Sequence, residues 1–287
     1  MEAVEGRRVV GVERVGKRVV LELEGELFVV VHLMIAGRFR WAEGVKGAGA
    51  AGKIALAMFE FDGGTLTLTE AGTKKRASIH VVAGRGALEA MNPGGLDVCT
   101  CTPAQFEARL KERNNTLKRA LTDPRRFDGI GNAYSDEILH AAGMSPLRTT
   151  ALVTSEQAGG LLDAARSTLT RWTERLREEF GLAEGGIATA GVGRFPGPGE
   201  ITAFRPDFSV HGKYGKPCPV CGTSVQRILY AENECNYCPR CQTEGKMLAD
   251  RAMSRLLKDD WPRTVEEWEG SEKAQSGGAA KHKSEET

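Results

Sequence analysis

Four cysteines near the C-terminus form two CxxC pairs, Cys218-Pro-Val-Cys221 and Cys238-Pro-Arg-Cys241, separated by 16 residues. Each pair places two thiols on one tight turn, and two such turns supply the ligands of a tetrahedral zinc site. The 16 intervening residues are enough for two short strands and a hairpin that bring the turns together. We therefore predict one structural Zn²⁺, because four protein ligands leave no open position for a substrate.

A second pairing is open for the same cysteines, because Cys235 and Cys238 also have CxxC spacing. We favour Cys238 with Cys241, since Pro239-Arg240 repeats the Pro219-Val220 pattern of the first pair. A set of thiols that binds no metal is the remaining alternative.

A glycine-rich loop, Gly129-Ile130-Gly131-Asn132, lies between two helical segments. Glycines let the backbone turn tightly and bring N–H groups close to an anion. The N-terminus of the following helix adds its dipole, and the side-chain amide of Asn132 is able to donate to the same phosphate. A loop that only joins two helices explains the same residues, so this cluster alone is a weak signal.

The composition sets broad limits on the protein. Its 287 residues, 41% of them hydrophobic, predict two or three domains with real cores. No apolar run approaches the length of a membrane span, and no charged-then-apolar N-terminal segment suggests secretion. Seven cysteines, four of them in metal spacing, fit a reducing cytoplasm better than a disulfide framework.

The formal net charge of +1 does not by itself indicate nucleic-acid binding. Basic residues nevertheless form clusters, and such a patch acts on phosphates even when the total charge is near zero. Taken singly, each cluster is more often a solvated face. The clusters are Lys74-Lys75-Arg76, Lys118-Arg119, Arg125-Arg126, Lys213 with Lys216, and Arg251 with Arg255 and Lys258.

The elements that carry these residues change character along the chain. Short apolar or alternating runs with glycine turns predict strands at 8–13, 19–24, 27–33, 54–61, 65–69 and 78–82. Many short strands indicate a sandwich or a barrel. From Pro103 the period is helical, with helices predicted at 103–113, 116–121, 132–142 and 155–179, the last capped by Ser155.

In this order, the features resemble the formamidopyrimidine-DNA glycosylase / endonuclease VIII family. The segment 116–140 resembles the family's helix–two-turn–helix, which lies there between an N-terminal β-sandwich and a C-terminal zinc finger. Segments 12–23, 31–40 and 210–218 also resemble the family, and the resemblance covers about residues 5–245.

The resemblance implies an α+β multidomain fold. We predict an incomplete N-terminal β-sandwich domain (1–98), a helix–two-turn–helix helical domain that binds DNA (102–180) and a flexible linker (181–202). A C-terminal β-hairpin four-cysteine zinc finger (203–245) follows, then a helix (246–262) and a disordered tail (263–287).

The family excises oxidised bases from duplex DNA and then cleaves the abasic strand by β,δ-elimination. The resemblance therefore implies a base-excision repair protein, a bifunctional DNA glycosylase and AP lyase. Its partner is double-stranded DNA that carries an oxidised base or an abasic site, with no membrane partner. A monomer in the cytoplasm, associated with the bacterial nucleoid when it is on DNA, is also implied.

The resemblance also assigns roles to individual residues. Lys17 falls on the family's active-site lysine, which contacts phosphate near the lesion, and Asn132 falls on its phosphate-binding asparagine. Ile35, with Met34, falls on the loop that inserts an apolar wedge into the gap left by an everted base. An ordinary core position is the alternative for Ile35.

Other positions match less closely. Lys75 and Arg76 fall near the family's second insertion loop, but its Arg-x-Phe pattern is absent, so only phosphate binding is assigned. Many relatives place an arginine at the hairpin tip of the finger, where this chain has Asn233. The full DNA-binding set is Lys17, Ile35, Lys75, Arg76, Gly129, Gly131, Asn132 and Lys213.

The start of the chain departs from the family. Those enzymes begin, after removal of Met, with a proline whose amine attacks the sugar C1′ and a glutamate that handles protons. This chain starts Met1-Glu2-Ala3-Val4-Glu5 and has no proline before Pro93. We expect this start to align inside the family's sandwich, so that Glu2 is not the catalytic glutamate and the chain as given is impaired or inactive.

Competing interpretations remain open. A start site placed too late in the gene, or a truncated DNA-binding remnant, explains the missing segment. The chain is then a repair enzyme or a non-catalytic binder of damaged DNA or abasic sites, and a weak lyase that uses the amine of Lys17 or Met1 is a further hypothesis. A zinc-ribbon protein of RNA or of the transcription machinery is the third class.

Overall fold

The computed structural model describes residues 2–44, 54–71, 73–181, 200, 205–230, 233–249, 256 and 261–270. The chain divides into two compact units. The first contains Met1–Gly95 and Arg171–Ala203, and the second contains Leu96–Thr170 and Phe204–Thr287.

Two antiparallel sheets form most of the first unit. One has the strand order β1-β2-β3-β7 and the other has the order β4-β6-β5. Their strands are β1 (Val9–Val15), β2 (Arg18–Leu23), β3 (Leu27–His32), β4 (Gly37–Glu43), β5 (Ala55–Phe61), β6 (Gly64–Glu70) and β7 (Ser78–Ala83).

The core of this unit lies between the two sheets. Leu21, Val29 and Val31 of the first sheet pack with Leu68 of the second. On the opposite face of the first sheet, Phe28 and its neighbours pack against the short helix α1 (Arg85–Glu89). Because β3 is buried on both faces, it reads as a continuous apolar run. The predicted β-sandwich is confirmed.

Helices form the first part of the second unit. They are α2 (Pro103–Lys111), α3 (Leu117–Thr122), α4 (Asn132–Ala141) and α5 (Ser155–Phe180), and the last of these belongs to the first unit from Arg171 onward. Thr102 caps α2 in a capping box with Gln105, and Thr116 caps α3. The capping residue of α5 is Thr154 and not Ser155, because the Thr154 hydroxyl accepts from the backbone N–H of Gln157.

A two-stranded hairpin forms the rest of the second unit. Its elements are β8 (Gln226–Tyr230), β9 (Asn233–Tyr237) and the short helix α6 (Pro239–Thr243). The hairpin lies between the two CxxC pairs, as their spacing predicts. The α+β class with a C-terminal four-cysteine hairpin is confirmed.

The chain beyond the hairpin differs from the prediction. The helix predicted from Lys246 does not begin there, because Lys246 pairs with Thr264 and the Met247 N–H donates to Arg263. Residues 250–255 and 257–260 lie outside the described residues, as does the predicted linker apart from positions 181 and 200. The first residues of the predicted disordered tail (263–287) are ordered, since residues 265–270 are helical and Val265 is 2% exposed.

Within the described part of the chain, no helix combines the length and the apolar character that crossing a bilayer requires.

Candidate metal centre and nucleic-acid interface

The four predicted cysteines converge at the hairpin. All four sulfurs lie within 4.8 Å of one another, with 3.9 Å between Cys218 and Cys241 and 3.4 Å between Cys221 and Cys238. Tetrahedral Zn–S bonds of roughly 2.3 Å place sulfurs roughly 3.8 Å apart, so the donor set fits a zinc ion. Cys235 instead packs beside Ile228 and Tyr237, so the alternative pairing is wrong.

Hydrogen bonds shape each CxxC pair into a tight turn. In the first pair the Cys218 N–H donates to Thr223, and the Gly222 N–H returns to the Cys218 carbonyl, both at 2.9 Å. Gly222 has a φ of +76°, which favours glycine. In the second pair Cys238 caps α6, and its sulfur accepts from the Cys241 N–H at 3.5 Å.

The thiols of this cluster differ in acidity. Burial raises the pKa of Cys238 to about 11 and also raises the pKa of Cys241. At Cys221, burial acts in the same direction, but hydrogen bonds with Thr223, Cys238 and Cys241 together outweigh it and lower the pKa to about 6. A bound cation is what allows four thiols this close together to be held as thiolates.

Nothing in the sequence pattern indicates that His140 belongs to this centre. Its Nε2 atom lies 3.3 Å from the sulfur of Cys218, and both side chains are buried. Burial lowers the pKa of His140, so the imidazole is neutral near pH 7 and carries one N–H. The two residues are 78 positions apart, which is why no local motif connects them.

Two adjacent carboxylates of α4 hold the loop that leads into the first CxxC pair. Glu137 accepts the backbone N–H groups of Ser209, Val210 and His211 at 2.8 to 2.9 Å. Asp136 contacts the Nδ1 atom of His211 at 2.8 Å and also accepts from the backbone N–H of residue 236. Helix α4 and the four-cysteine hairpin are therefore joined by buried polar contacts.

Two of the basic residues in the predicted clusters are structural. Lys118 is buried, and its ammonium donates to Asp136 and to the carbonyl of Asn132, both at 2.6 Å. Arg126 is also buried and donates to the carbonyls of Leu110 and Arg113. Both charges are buried and are directed at internal acceptors.

The glycine-rich loop forms the N-terminus of α4. Gly129 is exposed with a φ of +77°, Ile130 is buried, and Gly131 is the N-cap residue. The first N–H groups of any α-helix lack intrahelical acceptors and carry the positive end of the dipole. Phosphate binding at this end of the 10-residue helix α4 stays a prediction.

Asn132 joins this end of α4 to the hairpin. Its side-chain nitrogen donates to the carbonyl of Glu234 in β9 at 3.0 Å. An amide nitrogen carries two hydrogens, so one remains for a phosphate. The Asn132 amide therefore makes a structural contact in addition to the phosphate contact that the sequence predicts.

Lys213 lies in the loop before the first CxxC pair. Its ammonium donates to the carbonyl of Pro206 at 2.7 Å, so in this conformation the side chain fastens the loop. The side chain of Asn233, at the predicted hairpin tip, lies outside the described residues.

In the first unit, the other predicted residues meet at one end of a sheet. The β2–β3 register pairs Arg18 with His32, and the β3–β7 register pairs His32 with Ser78. The turn at Lys17, the turn at 33–36 and the loop at 73–77 therefore lie side by side. Lys17 is exposed; burial, then the charges of Arg18 and Lys17, lower the pKa of His32.

Ile35 stands at the tip of the turn between β3 and β4. It is 65% exposed, so the core interpretation of this residue is wrong. The turn is tight: a Cβ atom on Gly37 would lie 2.2 Å from the Leu33 carbonyl oxygen. Met34 has a φ of +52°, and its N–H donates to His32. The wedge role of Ile35 stays a prediction.

Lys75 and Arg76 lie in the neighbouring loop, and both are exposed. The Lys75 ammonium donates to the carbonyl of Glu70, and the Arg76 backbone N–H donates to the Glu70 carboxylate at 2.9 Å. Buried Glu70 thus fixes the loop. Phosphate binding by these two side chains stays a prediction.

Comparison with known families and proteins agrees with this geometry. Residues 1–78 match the model of the formamidopyrimidine-DNA glycosylase N-terminal domain, and residues 97–178 match that of its H2TH domain. Formamidopyrimidine-DNA glycosylase of Thermus thermophilus is 32% identical over 247 residues, 84% of this chain and 85% of that one. A Mycobacterium tuberculosis formamidopyrimidine-DNA glycosylase-like protein is 39% identical over 177 residues, 62% of this chain and 100% of that protein.

Solved structures share the fold. The crystal structure of the MutM (Fpg) protein from Thermus thermophilus aligns with a TM-score of 0.64 at 29% identity, over 83% of this chain and 84% of that chain. The complex of Lactococcus lactis Fpg with DNA that contains an abasic site aligns with a TM-score of 0.67 at 21% identity, over 84% of each chain.

Proposed function

Because the chain belongs to the formamidopyrimidine-DNA glycosylase family, we propose that it binds duplex DNA that carries an oxidised base or an abasic site. The observation that carries this proposal is the junction between α4 and the four-cysteine hairpin. There the exposed loop at Gly129 leads into the N-terminus of α4, and Asn132 is held against Glu234. A helix N-terminus fixed in this way is preorganised for a phosphate.

A structural Zn²⁺ is part of the proposal. Cys218, Cys221, Cys238 and Cys241 would hold it, and the ion would tie together the two turns that flank the hairpin. The hairpin carries the Glu234 carbonyl that positions Asn132. Metal binding would therefore affect the affinity for DNA indirectly, because it would hold the backbone of β9 that positions Asn132.

The loops of the first unit supply the lesion-reading part of the proposal. Ile35 is an exposed apolar side chain on a constrained turn, which is what a wedge between base pairs requires. Lys17 is an exposed cation on the adjacent turn, suited to a phosphate. Both residues belong to the same end of one sheet.

Equilibrium binding tests the proposal. We expect the purified chain to bind a duplex with one tetrahydrofuran abasic-site analogue more tightly than the intact duplex, and both more tightly than an RNA of the same sequence. Fluorescence anisotropy with end-labelled strands measures the three affinities. An RNA preference would favour a zinc-ribbon protein of RNA and would contradict the proposal.

Strand cleavage is the second candidate function. A lyase needs an amine that attacks the aldehyde carbon C1′ of an abasic sugar and loses water to give an iminium. Lys17 carries an exposed primary amine and is the first candidate. Borohydride reduces such an iminium to a stable covalent adduct.

Trapping with borohydride distinguishes a lyase from a non-catalytic DNA-binding protein. A covalent adduct with abasic duplex that disappears in Lys17→Ala assigns the amine. Binding without an adduct supports the alternative, a non-catalytic protein that recognises damaged DNA or abasic sites.

We further propose that the chain acts as a monomer, which sedimentation at a mass near 31.0 kDa would confirm.

A further inference from the structure

We propose that His140 is a positioning residue of the metal centre. The Nε2–H group of its ring donates a hydrogen bond to the thiolate of Cys218, so the last turn of α4 is attached to the zinc ligands. The inference rests on the zinc site proposed above, and it adds a contact that the cysteine spacing does not contain.

The geometry of the pair supports this assignment. Nε2 of His140 lies 3.3 Å from the sulfur of Cys218, inside the range of N–H···S hydrogen bonds. His140 is 8% exposed and Cys218 is 2% exposed, so water does not compete for this bond. The proposal requires the tautomer in which Nε2 carries the proton.

The charge of the centre explains why the bond is useful. Four thiolates around one divalent cation leave a net negative charge, and buried negative charge is costly unless N–H or O–H groups point at it. The Cys241 N–H points at the Cys238 sulfur, and Thr223 donates to Cys221. Those donors belong to the finger itself, whereas His140 reaches Cys218 from a helix 78 positions earlier.

The position of His140 on α4 gives the bond a consequence. The helix contacts the finger at both ends: Asn132 donates to the Glu234 carbonyl of β9 at its N-terminus, and His140 contacts Cys218 of the first CxxC pair at its C-terminus. Just beyond the helix, Gln242 donates to the carbonyl of Met144 at 2.9 Å. The helix that offers the anion-binding end is therefore positioned by the metal centre.

The test compares zinc retention among variants of the full chain. His140→Phe removes the donor but keeps an aromatic ring, His140→Leu removes it with a smaller side chain, and His140→Gln keeps an N–H at the same distance from the backbone. His80→Phe, at an exposed strand position of the first unit, is the matched control. Zinc affinity is measured by competition with a chromogenic chelator, after metal analysis of each purified protein.

Substitution of cobalt for zinc supplies a readout that a purely structural role does not move. A hydrogen bond to sulfur stabilises its lone pairs, so its loss shifts the sulfur-to-cobalt charge-transfer band to longer wavelength. We expect His140→Phe and His140→Leu to show this shift and to bind zinc about 10- to 100-fold more weakly, as is usual for the loss of an outer-shell partner. We expect His140→Gln to restore most of both properties.

Each outcome decides something. If the two donor-free variants keep the zinc affinity and the cobalt spectrum of the parent, the role of His140 is wrong. If they lose affinity but His140→Gln does not recover it, the effect is packing and the hydrogen bond is again wrong. If the parent chain binds neither zinc nor cobalt, the metal site itself fails, and that result is distinguishable because it precedes any comparison of variants.

Discussion

Asp136 has several buried partners at the junction between α4 and the hairpin. Its side chain is fully buried and contacts the Lys118 ammonium at 2.6 Å and the His211 ring at 2.8 Å. A buried carboxylate with several partners is stable only as long as all of them stay in place. The three residues come from α3, α4 and the loop before the first CxxC pair.

Removal of this carboxylate should destabilise the second unit strongly. Asp136→Ala leaves the buried Lys118 ammonium without its counter-charge, and breaking a buried pair in this way costs about 3–5 kcal/mol. Urea unfolding measures the change in the free energy of unfolding. The control is Asp163→Ala, which truncates an exposed aspartate on α5. A loss no larger than that of the control would contradict the structural role of the network.

Substitution of Ile35 should change DNA binding without changing the stability of the protein. Because Ile35 is 65% exposed, Ile35→Ala should change the melting temperature little. We expect it to weaken binding to the abasic duplex more than binding to the intact duplex, since only the former offers a gap for a wedge. Leu152→Ala, at a position that is 68% exposed, is the control. An equal loss of affinity for both duplexes would rule out the wedge.

Helix α4 is the element that unites the candidate site. Its N-terminal end is the proposed phosphate site, its middle carries the two carboxylates that hold the loop before the finger, and its last turn reaches Cys218. The sequence identifies the beginning of this helix from Gly131 and Asn132. It does not identify the carboxylates or His140, because their partners in the loop and in the finger lie 72 or more positions away.

Removal of the metal should weaken DNA binding through its effect on helix α4. If zinc holds the two turns that flank the hairpin, we expect its removal to separate them, so that the Glu234 carbonyl no longer positions Asn132. We expect chelation to lower the melting temperature and to weaken abasic-duplex binding by roughly ten-fold or more, since one hydrogen bond to a charged group contributes about 1.5–3 kcal/mol. Added Zn²⁺ should restore both values. Unchanged affinity in fully demetallated protein would disprove the coupling.

Other elements show where sequence patterns work and where they stop. The predicted strands at 19–24 and 27–33 agree with β2 and β3 to within a residue, because their apolar runs fill both faces of a sheet. Strand β4 was not predicted, since Arg38 and Arg40 interrupt its pattern. The helix predicted from Lys246 matched helical spacing, but its first residues pair instead with residues 263 and 264. Such long-range pairing leaves no periodic signal.

At the scale of the whole molecule, near-zero net charge hides a local arrangement. Lys118 and Arg126 are buried on internal acceptors, whereas Lys17, Lys75 and Arg76 are exposed at one end of a sheet. The order of sandwich, helices and finger was predictable from the sequence because each segment has its own period or spacing. The sequence does not predict which of the basic side chains face solvent, because their exposure depends on the folded core.

Binding should therefore depend steeply on salt in spite of the net charge of +1. Each neutralised phosphate releases counterions, so affinity for the abasic duplex should fall roughly ten-fold or more between about 50 and 200 mM salt. Anisotropy titrations at several salt concentrations give the slope. A slope near zero would mean that phosphate contacts contribute little, and it would contradict the assignment of the exposed cations.

The most direct test of the account is a scan of single neutral methylphosphonates around the abasic site, carried out with the parent chain and with Asn132→Ala. If the N-terminus of α4 holds one phosphate, neutralisation at one position should weaken binding by the parent far more than at its neighbours. At that position the same replacement should cost Asn132→Ala much less. Equal losses at all phosphates, or losses that simply add to that of Asn132→Ala, would contradict the central claim.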